Sequence, residues 1–223
     1  MDSKVIQIGD EGQRATRELV RRLDAHLQRH PEVDPVRLRG HFRTLESIDR
    51  QYGGHAALPL EDVEEVVAAA LTELAHLEQD VEVADLTVGV ALWAIRHAVA
   101  LTLVEPVANA LAIHSNAARD KAELSALVGV MHGVIAHVAP RLSPDLERSN
   151  PERPWRILHA NLAITAIRTE DPALMALAFD ALDQALPAER AGFYSEALAL
   201  ALAPRIAPAV REAVEARHRT WNP

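Results

Sequence analysis

An approximate internal repeat constrains the fold of this chain more than any other feature of its sequence. Residues 139–144, APRLSP, return 64 positions later as residues 203–208, APRIAP. Ahead of each copy an acidic residue and a proline open an alanine-rich run, at Glu105-Pro106 and again 66 positions later at Asp171-Pro172. Self-similarity at a nearly fixed period predicts stacked copies of one structural unit.

The pattern of apolar residues predicts helices throughout. Proline and glycine divide the sequence into segments of about 12 to 20 residues with helical periodicity, and no run alternates apolar and polar residues for long enough to predict a strand. Aromatic residues make up only 4% of the chain, so a core of Ala, Leu and Val suits closely packed helices better than a β-sandwich. The short β-like patch 5–8 is interpreted as a tail.

We therefore predict an all-α protein of nine or ten helices in two stacked three-helix units, or three if Asp34-Pro35 marks a further copy. The stack is a helical repeat, as in an α-solenoid, or a closed helical bundle. The predicted units are 1–84, 85–144 and 152–223, together forming one compact domain. The linker from Ser143 to Pro154 contains three prolines and is the strongest candidate boundary.

The segment 86–104 is apolar on every side and is predicted to be a buried helix. Arg96 and His97 lie at its middle, where a charge makes a membrane span costly. We expect the stripe Val90, Trp93, His97 and Leu101 to be inaccessible to solvent. If Arg96 is buried as well, it should have a carboxylate or carbonyl partner.

Motifs for catalysis or cofactor binding are missing from the sequence. It contains no glycine-rich phosphate loop, no His-Glu-x-x-His zinc helix, no nucleophile elbow and no cysteine. We therefore predict no catalytic residue and no cofactor, and a non-enzymatic protein is favoured, although catalysis is left open.

The histidines supply the candidate ligand-binding residues. His97, with Arg96 beside it, and His159 lie on the apolar stripes of corresponding helices in successive units, so Arg96, His97 and His159 could line a cavity for a small anionic ligand or a metal. The alternative is that each imidazole hydrogen-bonds within a helical core. His26 and His30, four residues apart, could reach a metal, but they end a helix, where imidazolium favours the helix dipole.

No metal site is predicted, because a di-iron bundle needs two Glu-x-x-His halves and the sequence has one, at Glu73 and His76. The net charge of −9 argues against general nucleic-acid binding, which needs a basic surface. The first 50 residues are more basic than the remainder, and Arg14, Arg17 and Arg21 share a helix face that is either solvated or docks an acidic partner.

Three functions remain open. The first, favoured by the missing catalytic signatures, is an interaction protein that binds a protein or peptide partner, with homo-oligomers as one form of it. The second is a pocket protein that uses Arg96, His97 and His159 and could be an enzyme. The third is a nucleic-acid-associated factor that docks through the N-terminal arginines. The lack of cysteine and of a signal-peptide pattern leads us to expect a cytoplasmic protein with no membrane span.

Overall fold

The computed structural model describes residues 3–31, 35–52, 60–142, 154–202 and 206–222, and these ranges are helical apart from turns and short connections. The all-α prediction is confirmed. The ten helices within these ranges are α1 (Ser3–Arg29), α2 (Pro35–Tyr52), α3 (Leu60–Ala75), α4 (Val81–Arg96), α5 (Glu105–Ala117), α6 (Lys121–Leu142), α7 (Pro154–Thr169), α8 (Pro172–Ala185), α9 (Arg190–Ala201) and α10 (Pro208–Trp221).

Several helix starts follow the sequence signals, but α4 begins at Val81, capped by Asp80, and not at the predicted residue 86. Helix α5 begins at the Glu105-Pro106 step, and α8 begins at Pro172, where Asp171 accepts hydrogen bonds from the first-turn amides. Residues 5–8 belong to α1, so their interpretation as a tail was wrong. Inside a helix the backbone of this patch is hydrogen-bonded without a strand partner. Most of the predicted linker, residues 143–153, lies outside the described residues, as do residues 203–205.

The buried apolar segment 86–104 is only partly helical, because α4 ends at Arg96. Ala98 adopts a left-handed conformation with a φ of 53°. Its amide donates to the carbonyl of Ile95 at 3.1 Å, and the amide of Val99 donates to that of Ala94 at 2.9 Å. This pair of bonds is the Schellman motif that closes many helices. Beyond the helix, Val99, Leu101 and Val104 are buried, whereas Ala98 and Thr102 are exposed. The predicted helix over residues 97–104 was therefore wrong, and its burial holds only in part.

The chain divides into two compact units, residues 1–114 and 115–223, with the boundary inside α5. In the first unit α1 packs against α2 and α4, and α3 packs against the same two helices, which gives a closed ring of four. Asp24 pairs with Arg39 at 2.8 Å, whereas Gln13 donates to the carbonyl of Asp49 at 3.2 Å. These two contacts lie at opposite ends of the pair, so α1 and α2 are antiparallel.

Helices α1 and α4 are also antiparallel, and they approach each other closely. Arg29 pairs with Glu82 at 2.5 Å near one end, and Leu19 lies against Gly89 farther along. A Cβ atom built on Gly89 would lie 2.4 Å from the Cδ1 atom of Leu19. A side chain at position 89 would therefore require the Leu19 side chain to move.

In the second unit α7 packs against α6 and α8, and α10 packs against α8 and α9. The buried carboxylate of Asp183 ties the last three helices together. It accepts hydrogen bonds from Tyr194 at 2.9 Å, Arg217 at 2.7 Å and Trp221 at 3.1 Å. The guanidinium of Arg190 stacks on the Trp221 ring, 3.6 Å from its centroid.

The packing does not confirm the internal repeat. The helix before Pro106 is α4, which packs on α1 and α3, whereas the helix before Pro172 is α7, which packs on α6 and α8. The boundary between the compact units also falls inside the predicted central unit 85–144. Division into stacked three-helix units stays a prediction.

The close approach at Gly89 predicts opposite effects for two helical glycines of the first unit. Gly89→Leu should lower the free energy of unfolding by about 1–3 kcal/mol, because the larger side chain forces Leu19 and the helix axes apart. Gly40→Ala should raise it by about 0.5–1 kcal/mol, because its Cβ meets no atom within 4 Å and the helix loses a glycine. Urea unfolding followed by circular dichroism measures both, and equal effects of the two changes would contradict the prediction.

Candidate functional site

A buried carboxylate, that of Asp49 on α2, brings Arg96 and His97 together. The Nε2 atom of His97 lies 2.5 Å from one carboxylate oxygen, and Nη2 of Arg96 donates to the other at 2.8 Å. Thr16 on α1 also donates to that second oxygen, and Arg96 donates to the Thr16 hydroxyl at 2.9 Å. The cluster therefore joins α1 and α2 to the C-terminal end of α4.

The cluster keeps Asp49 ionised in the core. Only 1% of this residue is exposed, so burial acts to raise the pKa of its carboxyl group. The hydrogen bonds from His97 and Thr16 and the charge of Arg96 outweigh burial and hold the pKa below its ordinary value of 3.8. At neutral pH the carboxylate is charged and its partners supply the compensation that a buried charge requires.

The His97 ring is buried between residues of α2 and α4. The Trp93 ring lies 4.1 Å from it between centroids, and the Asp49 carboxylate contacts its Nε2 atom. Nδ1 of His97 and Nε1 of Trp93 are both buried and have no hydrogen-bond partner among the described residues. The predicted burial of Val90, Trp93, His97 and Leu101 is confirmed. Arg96 is only partly buried, and it has the kind of carboxylate partner expected of a buried arginine.

Arg96 also lines a groove of about 350 Å³ between α1 and α4. Its floor is apolar, with Leu19 and Trp93, but Glu18 and Asp85 stand beside the arginines. Glu18 is bound by Arg21 and Arg22, which lower the pKa of its carboxyl to about 2. Charges of both signs are thus present, and the groove is not an anion site by charge alone.

His159 lies in the second unit and has a different environment. Its Nδ1–H donates to the carbonyl of Trp155 at 2.9 Å, and the two rings meet edge to face with centroids 4.2 Å apart. Burial lowers the pKa of His159, and the hydrogen bond to the Trp155 carbonyl opposes this only in part. Binding of one ligand by Arg96, His97 and His159 together stays a prediction.

The remaining candidates lie elsewhere in the first unit. The His26 and His30 rings stack at 4.4 Å, and Nδ1 of His26 lies 3.3 Å from a carboxylate oxygen of Glu82. Across the described part of the chain, no group of three or more His, Cys, Asp or Glu residues could hold a metal ion. Arg14 and Arg17 are exposed.

Helix α6 presents a surface that the sequence reasoning missed. Its core stripe is buried, but the opposite face is open to solvent and carries only small side chains. That face, called here the α6 small-residue face, consists of Ala122, Ala126, Gly129, Gly133 and Ala136. A Cβ atom on either glycine would meet nothing within 4 Å. The signal was present as small residues spaced alternately four and three apart.

By length and composition α6 could cross a membrane, and it is the one helix in the described ranges of which this is true. Core helices pass the same test. In α6, however, only 33% of the most apolar stretch is buried. No Asp, Glu, Lys or Arg occurs between residues 124 and 140. Such an uncharged exposed helix face is typical of a contact surface.

Comparison of the chain with protein-family models, with curated proteins and with solved structures finds no match.

Removal of the Asp49 charge should destabilise the first unit strongly. Asp49→Asn is expected to lower the free energy of unfolding at neutral pH by about 3–5 kcal/mol, because it leaves Arg96 and His97 without their buried counter-charge. Asp24→Asn is the matched control in the same helix pair, and its exposed bond to Arg39 should contribute about 1 kcal/mol or less. Chemical unfolding of both variants makes the comparison, and similar losses would contradict the assigned role of Asp49.

The lowered pKa of Asp49 also predicts how that difference changes with pH. A carboxyl whose folded pKa is depressed contributes stability above its unfolded pKa, and this contribution is lost as the pH falls through the folded pKa. The stability gap between the native chain and Asp49→Asn should thus be full at about pH 6, and it should narrow at about pH 3, below the ordinary value of 3.8. A gap that stays constant down to that pH would contradict the assignment.

Proposed function

We propose that this chain is a non-enzymatic interaction protein that pairs with a second copy of itself through the α6 small-residue face. The observation that carries the proposal is the combination of exposure and lack of charge on a helix that is otherwise well packed. The chain carries a net charge of −9, so two copies repel over most of their surface. They repel least across a face without charges.

The spacing of the small residues favours a helix as the occupant. The positions Ala122, Ala126, Gly129, Gly133 and Ala136 follow the alternating steps of four and three that form a coiled-coil seam. Small residues on such a seam let two helix axes approach closely, which increases dispersion contacts along the backbones. The two open glycines lie near the centre of the seam.

The order of these residues favours a second copy in antiparallel orientation. Gly129 and Gly133 are equally distant from Met131 along the sequence, and Ala126 and Ala136 are as well. A two-fold axis at the level of Met131 therefore places glycine against glycine and alanine against alanine. Such self-complementarity is what an interface between identical subunits requires.

Charges at the ends of the helix support the same orientation. Glu123 and Arg141 are both exposed, and the 18 residues between them amount to five turns, so they lie on the same side of α6. In an antiparallel pair Glu123 of one helix lies toward Arg141 of its partner. Opposite charges at the ends of a neutral seam fix orientation more than they add affinity.

The competing pocket function has weaker support at Arg96 and His97. Their polar atoms bind Asp49 and Thr16 in the core, where they hold helices together. A ligand that recruited Nε2 of His97 would first have to replace a short bond to a buried carboxylate. Arg14 and Arg17 could also dock an acidic partner, but no contact within the described residues supports this function.

Self-association can be tested by sedimentation equilibrium of the native chain. A helix of 22 residues is about 33 Å long, so the pair alone makes a small interface, and a weak dimer that forms between about 10 µM and 1 mM is expected. Gly133→Glu should abolish the dimer, because it inserts bulk and charge into the seam. Gly192→Glu on α9 is the control, since that glycine also has open space around it and lies outside the seam.

A charge exchange tests the orientation. Arg141→Glu should weaken the dimer, because acidic groups then meet at both ends of the antiparallel pair, and Glu123→Arg combined with Arg141→Glu should restore it. A native chain that stays monomeric throughout the range, or a Gly133→Glu variant that dimerises like the native chain, overturns the proposal. Binding of the native monomer to lipid vesicles in place of dimerisation overturns it as well.

A further inference from the structure

A second groove lies on the core side of α6, between α6, α7 and α8. It is lined by Ile135 and Ala139 from α6, Trp155 and His159 from α7, and Ala181, Gln184 and Ala185 from α8. Its volume is about 330 Å³, at the small end of the range for ligand pockets. A groove of this volume fits a molecule of one or two rings.

His159 is the most informative residue of this groove. The residue is only 2% exposed, yet it forms part of the groove wall. Within the described residues its single hydrogen bond is the one from Nδ1–H to the carbonyl of Trp155. A carbonyl only accepts, so Nδ1 must carry the proton.

The other ring nitrogen is consequently an acceptor. Burial lowers the pKa of His159, so the imidazole is neutral at pH 7 and Nε2 has a free lone pair. A backbone carbonyl that fixes Nδ1–H orients the ring, as it does for many functional histidines. Nε2 accepts no hydrogen bond from the described residues, so its lone pair is open to a donor.

We propose that this groove binds a small aromatic molecule with one hydroxyl group, of the phenol class, whose O–H donates to Nε2 of His159. The alanine, isoleucine and tryptophan side chains supply the apolar walls that an aromatic ring requires, and the Trp155 ring offers it an edge or a face. Gln184 is exposed and lies at the mouth of the groove. With a single imidazole among the lining residues, the donor set is that of a hydrogen-bonding site and not of a multidentate metal site.

This site is separate from the proposed self-association surface. Ile135 and Ala139 lie on a different side of α6 from Gly129 and Gly133, and Ile135 is buried whereas Gly129 is exposed. Gly133→Glu should therefore abolish the dimer and leave phenol binding unchanged. Failure of one proposal does not imply failure of the other.

The experiment compares phenol with toluene, which has nearly the same shape but no O–H donor. Nuclear magnetic resonance titration of the full-length chain follows the amides of α7 and α8 and the indole N–H of Trp155. The native chain should bind phenol about tenfold more tightly than toluene, the effect of one net hydrogen bond in a partly buried site. In His159→Phe, which keeps the ring volume beside Trp155, the preference for phenol should be lost, because its O–H then has no acceptor.

His218→Phe on α10 is the matched control, because it replaces the same residue type in the same unit outside the groove, and it should keep the preference for phenol. Three results overturn the proposal. Phenol could leave the α7 and α8 signals unchanged, toluene could bind the native chain as tightly as phenol, or the preference could persist in His159→Phe.

Discussion

The first unit depends on one buried charge. The Asp49 carboxylate on α2 binds Thr16 on α1 and binds Arg96 and His97 at the end of α4. A single carboxylate therefore joins three of the four helices in the ring. A carboxylate in a helical core is costly unless every partner is in place. The same requirement makes the cluster specific, since a shift of any of these helices would leave the charge uncompensated. The second unit uses the same device at Asp183, whose partners come from α9 and α10.

This arrangement explains why the residues that look most like a binding site are better understood as structural. Arginine and histidine on an apolar helix are candidates for ligand binding, but here they neutralise an acidic residue of another helix. The exposed surface that lacks a packing partner among the described residues is the α6 small-residue face. One side of α6 contributes to the core and to the groove beside His159, and the other presents small uncharged residues to solvent. The two proposals for this protein therefore use different sides of the same helix.

Parts of the candidate site could be read from the sequence, and parts could not. The burial of Trp93 and His97 follows from their place on an apolar stripe, and the need of Arg96 for a partner follows from the cost of burying a cation. The identity of that partner does not follow, because Asp49 is 47 residues away in a segment of mixed charge, where an aspartate looks solvated. Its burial is a consequence of how α2 packs. Similarly, the sequence does not show that the His159 ring would turn back to the Trp155 carbonyl, four residues earlier, which fixes its tautomer.

The sequence by itself determined that the protein is all-helical and where most helices begin, because proline, capping aspartates and apolar periodicity act within a few residues. It also determined that Val99, Leu101 and Val104 would be buried, since large apolar side chains are removed from water whatever the backbone conformation. Only the tertiary structure decided that α4 ends at Arg96, where Ala98 takes a left-handed conformation that an alanine does not announce. The tertiary structure also decided how the helices pair. Closure of the four-helix ring depends on the fit of Leu19 against Gly89 and of three helices around Asp49, and such contacts join residues that are distant in sequence.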